Sequence, residues 1–193
     1  MNETIKTMLD RRTIRKYKPE QITEDELNLI LEVGLHAPNA GGRQSAIIVC
    51  SQNAEINSKL GKINKGVMPI GTPSLGRVSS EQPSILDDSG IKSAFYDAPT
   101  VLTLFAPKEN FNLTADCFVA AQNMIIAASS LGIGSCMVAR AIETFATEEG
   151  WKIQKEWGLD ESYEAKVHIA LGYPDGDWPT AKPRKDGRII RVG

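Results

Sequence analysis

Two histidines and three cysteines in 193 residues leave little material for a metal centre or a disulfide framework. Cys50, Cys117 and Cys136 are odd in number, far apart and set in apolar stretches. That usage fits buried, reduced thiols of a cytoplasmic protein, and with no cysteine pair at ligand spacing a zinc site is not expected. No apolar run approaches the roughly 20 residues needed to cross a bilayer. The opening Met1-Asn2-Glu3-Thr4-Ile5-Lys6 has no apolar signal core, so the chain is expected to stay off membranes. Neither sign of charge dominates, with 22 Lys and Arg against 24 Asp and Glu. A pI near 5.8 argues against nucleic acid as a partner. Phosphate-binding glycine loops are missing too. There is no Gly-x-x-x-x-Gly-Lys-Ser/Thr, which excludes a P-loop. Gly132-Ile133-Gly134 lacks the third glycine of a dinucleotide fingerprint and follows a helical pattern instead of a strand. Two histidines also assemble no Ser-His-Asp or Cys-His set; His168 reads as structural, within a strand pattern, and His36 as the end of a helix.

What is present describes one domain over residues 1–193, of the α+β class with one central sheet. Residues 2–10 suit a short first helix. Thr23-Glu24-Asp25-Glu26 is a capping box, and Leu27, Ile30, Leu31 and Leu35 carry a helix over about 24–36, stopped by Pro38. The apolar runs 46–50, 101–105, 135–138 and 166–171 predict buried strands. Helices are expected near 53–65, over 113–131 and around 141–157. The 113–131 segment is apolar nearly all round and small-residue-rich, so it should be buried, with Gly132 as its C-terminal cap. Residues 66–93, rich in Gly, Pro and Ser, show no sustained period and read as a lid or interface excursion. The tail 173–193 holds Pro174, Pro179 and Pro183 and is too polar to stand alone, so it should wrap over its own subunit or a partner.

Against an evenly balanced composition, five of the eight residues Arg11-Arg12-Thr13-Ile14-Arg15-Lys16-Tyr17-Lys18 are cationic. Guanidinium forks fit phosphate oxygens and a hydroxyl adds a donor, so the segment suits a cofactor with one phosphate. The plain alternative is a solvated basic face. A second group, Lys182, Arg184, Lys185, Arg188 and Arg191, is on its own a solvated tail, but beside the first it would close a phosphate site.

Several pieces, in order, resemble the FMN-dependent nitroreductase family: Arg11 through Tyr17, Ala37-Pro38-Asn39-Ala40-Gly41-Gly42-Arg43-Gln44, Phe95-Tyr96-Asp97-Ala98-Pro99 and Ala128 through Met137. Leu171-Gly172-Tyr173-Pro174 and Lys182-Pro183-Arg184-Lys185 extend the match over nearly the whole chain. The resemblance implies an α/β/α sandwich with a mostly antiparallel sheet, in an intertwined homodimer with two FMN sites at its interface. Carried over by position, Arg11, Arg12, Thr13 and Arg15 would hold the phosphate, ribityl chain and pyrimidine edge. Pro38, Asn39 and Ala40 would approach the flavin from the other subunit, supported by Gln44. Met137, Val138 and Ala139 would lie against the ring, Lys182 and Arg184 would complete the phosphate site, and Asn64 is a further polar contact. The implied chemistry is a ping-pong relay from NADH or NADPH through FMN to a nitroaromatic, quinone or similar small acceptor, with no side-chain base. The alternatives are an FMN-binding protein without turnover, or a specialised family chemistry such as reductive dehalogenation. Three positions depart from the pattern. Ser45-Ala46 stand where relatives have Pro and an aromatic, Gly42 where a small polar residue or Asn is usual, and Arg140 where Gly is usual.

Overall fold

A computed structural model describes residues 1–68, 79–108 and 112–193 of the chain. Among them are six α-helices and four strands: α1 Glu3–Asp10, α2 Glu24–Leu35, β1 Ile47–Ser51, α3 Ala54–Gly66, β2 Thr100–Pro107, α4 Asn112–Ser130, β3 Gly134–Val138, α5 Ala141–Phe145, α6 Glu148–Glu156 and β4 Tyr163–Gly172. The strands form one antiparallel sheet in the order β1-β2-β4-β3, as the resemblance implies. The part of the 66–93 excursion at 69–78 lies outside the described residues.

Four of the helices begin where the sequence supplies an acceptor for the first free amides. Asn2 caps α1, Asn53 caps α3 and Thr147 caps α6, and Thr23 and Glu26 form the reciprocal capping box of α2. The Glu26 carboxylate also accepts a 2.6 Å hydrogen bond from the Tyr173 hydroxyl, which ties the start of the tail to α2. Gly132, at φ 74°, lets the chain turn out of α4 into β3.

Strand alternation sorts the apolar side chains into two layers. Leu102, Leu104, Val167, Ile169 and Leu171 face α2 and α4, joined by Leu27, Ile30, Cys117, Ala121, Met124 and Ala128. Val101, Phe105, Cys136, Val138 and Ala170 face Leu60 of α3, Ala141 and Phe145 of α5 and Ile153 of α6. A core aromatic such as Phe105, fully buried, contributes about 1.5–3 kcal/mol over an exposed one. The long helix differs from its sequence reading on one side. α4 buries Leu113, Cys117, Ala120, Ala121, Met124, Ile125 and Ala128, yet leaves Phe118 and Val119 exposed, and Leu29, Val33 and Leu35 of α2 are exposed as well.

His168 sits in the second layer as expected of a structural histidine. It is fully buried, its Nδ1 lies 2.8 Å from the Thr103 hydroxyl, and its ring meets Phe95 edge-on at 4.8 Å. Burial, and after it the charge of Arg140, push its pKa down to about 3, so the ring is neutral.

Candidate cofactor site

The basic segment is an extended strap laid between β3 and the start of the tail. Arg11 ends α1 by donating its amide to Thr7 O, and its ψ of 133° turns the chain out of the helix. Ile14 then donates its amide to Ser135 O at 3.0 Å, Lys18 to Tyr173 O at 2.9 Å, and Asp175 returns one to Lys16 O at 3.0 Å. Thr13 pairs with Ser135 in a parallel bridge. Ile14 is fully buried and packs directly on Gly134, where a Cβ would stand 2.8 Å from Ile14 Cβ.

Because the strap is extended, neighbouring side chains leave it on opposite sides. Arg12 folds back, giving Nη1 to Leu9 O at 2.8 Å and Arg11 O at 2.9 Å. It lines a groove of about 430 Å³ with Lys6, Ser130, Trp178 and Pro179. Arg15 points the other way, into a cavity of about 230 Å³ with Ser84, Tyr96, Cys136 and residues 137–140. The tail comes within electrostatic reach of Arg11, whose pKa is lowered by burial first and then by the charges of Arg12 and Arg184. Lys182 is exposed on the same tail.

Arg15 is held by the excursion that gave no periodic signal. Its amide donates to Gln82 Oε1 at 2.6 Å, its Nη1 donates to Gln82 O at 3.0 Å, and its guanidinium lies 5.7 Å from the Tyr96 ring centroid. Ser79, Ser84 and Asp87 bond one another locally, and Glu81 accepts the Thr180 amide at 2.7 Å, so residues 79–87 are fastened to both strap and tail.

The opposite wall is the end of β3. Met137, Val138 and Ala139 line the cavity. Their path is set by Asn64, fully buried, which donates to Ala139 O at 2.8 Å and to Thr144 Oγ1 at 2.9 Å. Arg140 follows with φ 64°, a left-handed backbone that favours glycine.

Pro38, Asn39, Ala40 and Gln44 belong to a separate loop. Gly41 and Gly42, both at φ 64°, and Gln44 at φ 52° give it its unusual path. The Asp116 carboxylate of α4 accepts the Ala40 amide at 3.1 Å on each oxygen, and Asn39 Oδ1 accepts the Gln44 amide at 2.9 Å. The loop lines its own cavity of about 140 Å³, with Asp116 and Ala120. Within one chain, therefore, Arg15 meets the end of β3, Arg11 and Arg12 lie toward the tail, and the loop at Pro38–Gln44 lines a cavity of its own.

Gln82, Ser84, Tyr96 and Cys136 were not foreseen as site residues, whereas Arg140 stood out in the sequence as a departure from the family pattern. Tyr96 had a signal in Phe95-Tyr96-Asp97, where Tyr96 and Asp97 both take positive φ; Gln82 had none. Buried donors without acceptors mark the site's chemistry. Arg12 Nε and Arg15 Nε have no hydrogen-bond partner, as an anionic ligand's binding residues would lack before it arrives. A flavin mononucleotide, with a dianionic head and acceptor-rich ring edge, fits that donor set.

The comparisons with known proteins agree. The NADPH-flavin oxidoreductase of Vibrio harveyi is 26% identical over 192 residues, covering 98% of this chain and 73% of the relative. A nitroreductase with bound FMN from Bacteroides fragilis superposes over all of both chains at a TM-score of 0.83, with 28% identity. Another with bound FMN, from Desulfitobacterium hafniense, also covers both chains completely, at a TM-score of 0.83 and 25% identity. Residues 8–173 match the Nitroreductase family, and the chain belongs to it.

Proposed function

We propose that this protein is an FMN-dependent oxidoreductase that transfers hydride from NADH or NADPH to a nitroaromatic, quinone or similar acceptor by a ping-pong route. The observation that carries the reading is a strap in which Arg12 and Arg15 each bury a guanidinium nitrogen that has no acceptor, with Arg11 between the charges of Arg12 and of Arg184 from the other end of the chain. FMN bound there would supply the redox chemistry, accepting a hydride from the nicotinamide and passing it to the second substrate. The chain's own residues bind and polarise. Arg11, Arg12 and Arg184, with Lys182 on the same tail, would hold the phosphate, and Thr13 would add a hydroxyl donor. Arg15, fixed by Gln82, would put a positive charge beside the pyrimidine edge, where negative charge develops on reduction. Met137, Val138 and Ala139 would present backbone to the ring. No carboxylate or histidine lines the Arg15 cavity among the described residues.

The loop at Pro38–Gln44 lies away from this cluster within the chain, and the exposed apolar residues Leu29, Val33, Leu35, Phe118 and Val119 of α2 and α4 have no cover. Both facts support a homodimer in which the partner supplies that loop to complete each site.

Titration of the protein with FMN, followed by quenching of flavin fluorescence, should show one FMN per chain. Anaerobic mixing with NADH or NADPH should then bleach the flavin absorbance. Absence of FMN uptake overturns the reading; uptake without bleaching turns it into an FMN-binding protein without turnover.

A further inference from the structure

The Arg15 cavity holds a second guanidinium to which the FMN reading gives no role. Arg140 lines the same cavity, at the end of the β3 wall. Its backbone sits at φ 64°, ψ 29°, where a branched or long side chain is strained and glycine is not. An arginine there carries a backbone strain that its surroundings must offset.

A purely structural role does not account for it. Arg140 Nε donates to Asn64 O at 3.2 Å and Nη2 to Asn64 Oδ1 at 3.1 Å. Asn64 is already fixed by Ala139 O and Thr144 Oγ1, so the arginine is oriented by the asparagine more than the reverse. Those two bonds consume Nε–H and one hydrogen of Nη2. Both Nη1 hydrogens and the second of Nη2 remain, which is the end-on fork that grips a carboxylate. The charge is also uncompensated: among the described residues, no carboxylate lies within ion-pair distance of Arg140, and no Asp or Glu lines the cavity.

We infer that Arg140 is a specificity-determining residue that selects acceptors bearing a carboxylate on the ring or chain to be reduced. The inference rests on the FMN reading above, since it assigns Arg15 to the cofactor and leaves Arg140 to the second substrate. Asn64 acts as its positioning residue.

The test compares 4-nitrobenzoate with its neutral isostere 4-nitrobenzamide as ligands of the oxidised, FMN-loaded protein, reading the dissociation constants from the perturbation of flavin absorbance. The wild type is expected to prefer the carboxylate by about tenfold or more, the size of one charge-assisted contact. Arg140→Gln should bring the ratio to about one, while Arg140→Lys, which keeps the charge without the fork, should retain part of it. Arg140→Gly, which relieves the backbone strain, decides the matter should the glutamine variant fail to take up FMN. Equal constants in the wild type, or a preference that survives Arg140→Gln or Arg140→Gly, overturns the inference and leaves the FMN reading standing. Failure of the wild type to bind FMN overturns both.

Discussion

At the scale of single residues, the two groups with the most distinctive environments are a cation and a neutral ring. Arg15 makes no ion pair among the described residues and relies on Gln82 and the Tyr96 face for its place. Arg15→Ala should therefore weaken FMN by roughly tenfold to a hundredfold, the range for losing a charged hydrogen-bonding group. Its thermal midpoint should move far less, and fluorescence titration beside a thermal melt separates the two effects. His168 governs pH instead. Folding holds its pKa near 3, whereas in the unfolded chain it titrates near 6.5. The unfolded state takes up a proton that the folded state refuses. Stability is complete above about pH 6.5 and declines as pH falls toward 3, by about 2 kcal/mol at pH 5. Urea midpoints at pH 7 and pH 5 should differ accordingly, and His168→Gln should shrink that difference. Glu26 and Asp160, whose hydrogen bonds to Tyr173 and Ser162 hold their carboxyls below the usual value, add their own losses only at lower pH.

At the scale of elements, the strap and β3 touch at a point that allows no side chain. An alanine at Gly134 would set its Cβ 2.8 Å from Ile14 Cβ and Cγ2, atoms that cannot swing away. Gly134→Ala should cost about 1–3 kcal/mol and lower FMN affinity as the strap moves off the strand; denaturant unfolding and FMN titration would read the two effects. Elements with local signals were legible from sequence. α2 begins at its capping box and the four strands lie on their apolar runs, because caps and buried runs are properties of adjacent residues. The strap was only half legible. Composition gathers its arginines into one patch, but an extended backbone sends Arg12 and Arg15 into different cavities. Gln82 was invisible, since nothing in an aperiodic stretch says which residue will meet a segment 67 positions away.

At the scale of the whole molecule, the uncovered faces of α2 and α4 argue for association. The protein should sediment at twice its 21.1 kDa chain mass, and Phe118→Asp, which puts a charge on the exposed face of α4, should yield monomers that bind FMN poorly. A dimeric Phe118→Asp with unaltered FMN binding would place the interface elsewhere. The departure in composition of the long helix was visible in sequence as apolarity all round. That it served two surfaces, a core and a face left bare, was not, because hydropathy records that a residue avoids water and not what covers it. The strap is joined by hydrogen bonds to residues 135, 173 and 175, and Arg11 feels Arg184. During synthesis the first arginines leave the ribosome long before their companions exist. A corner that joins residues 11 and 184 can assemble only after both have been made, so the cofactor would be acquired late in folding and not by a nascent N-terminal segment.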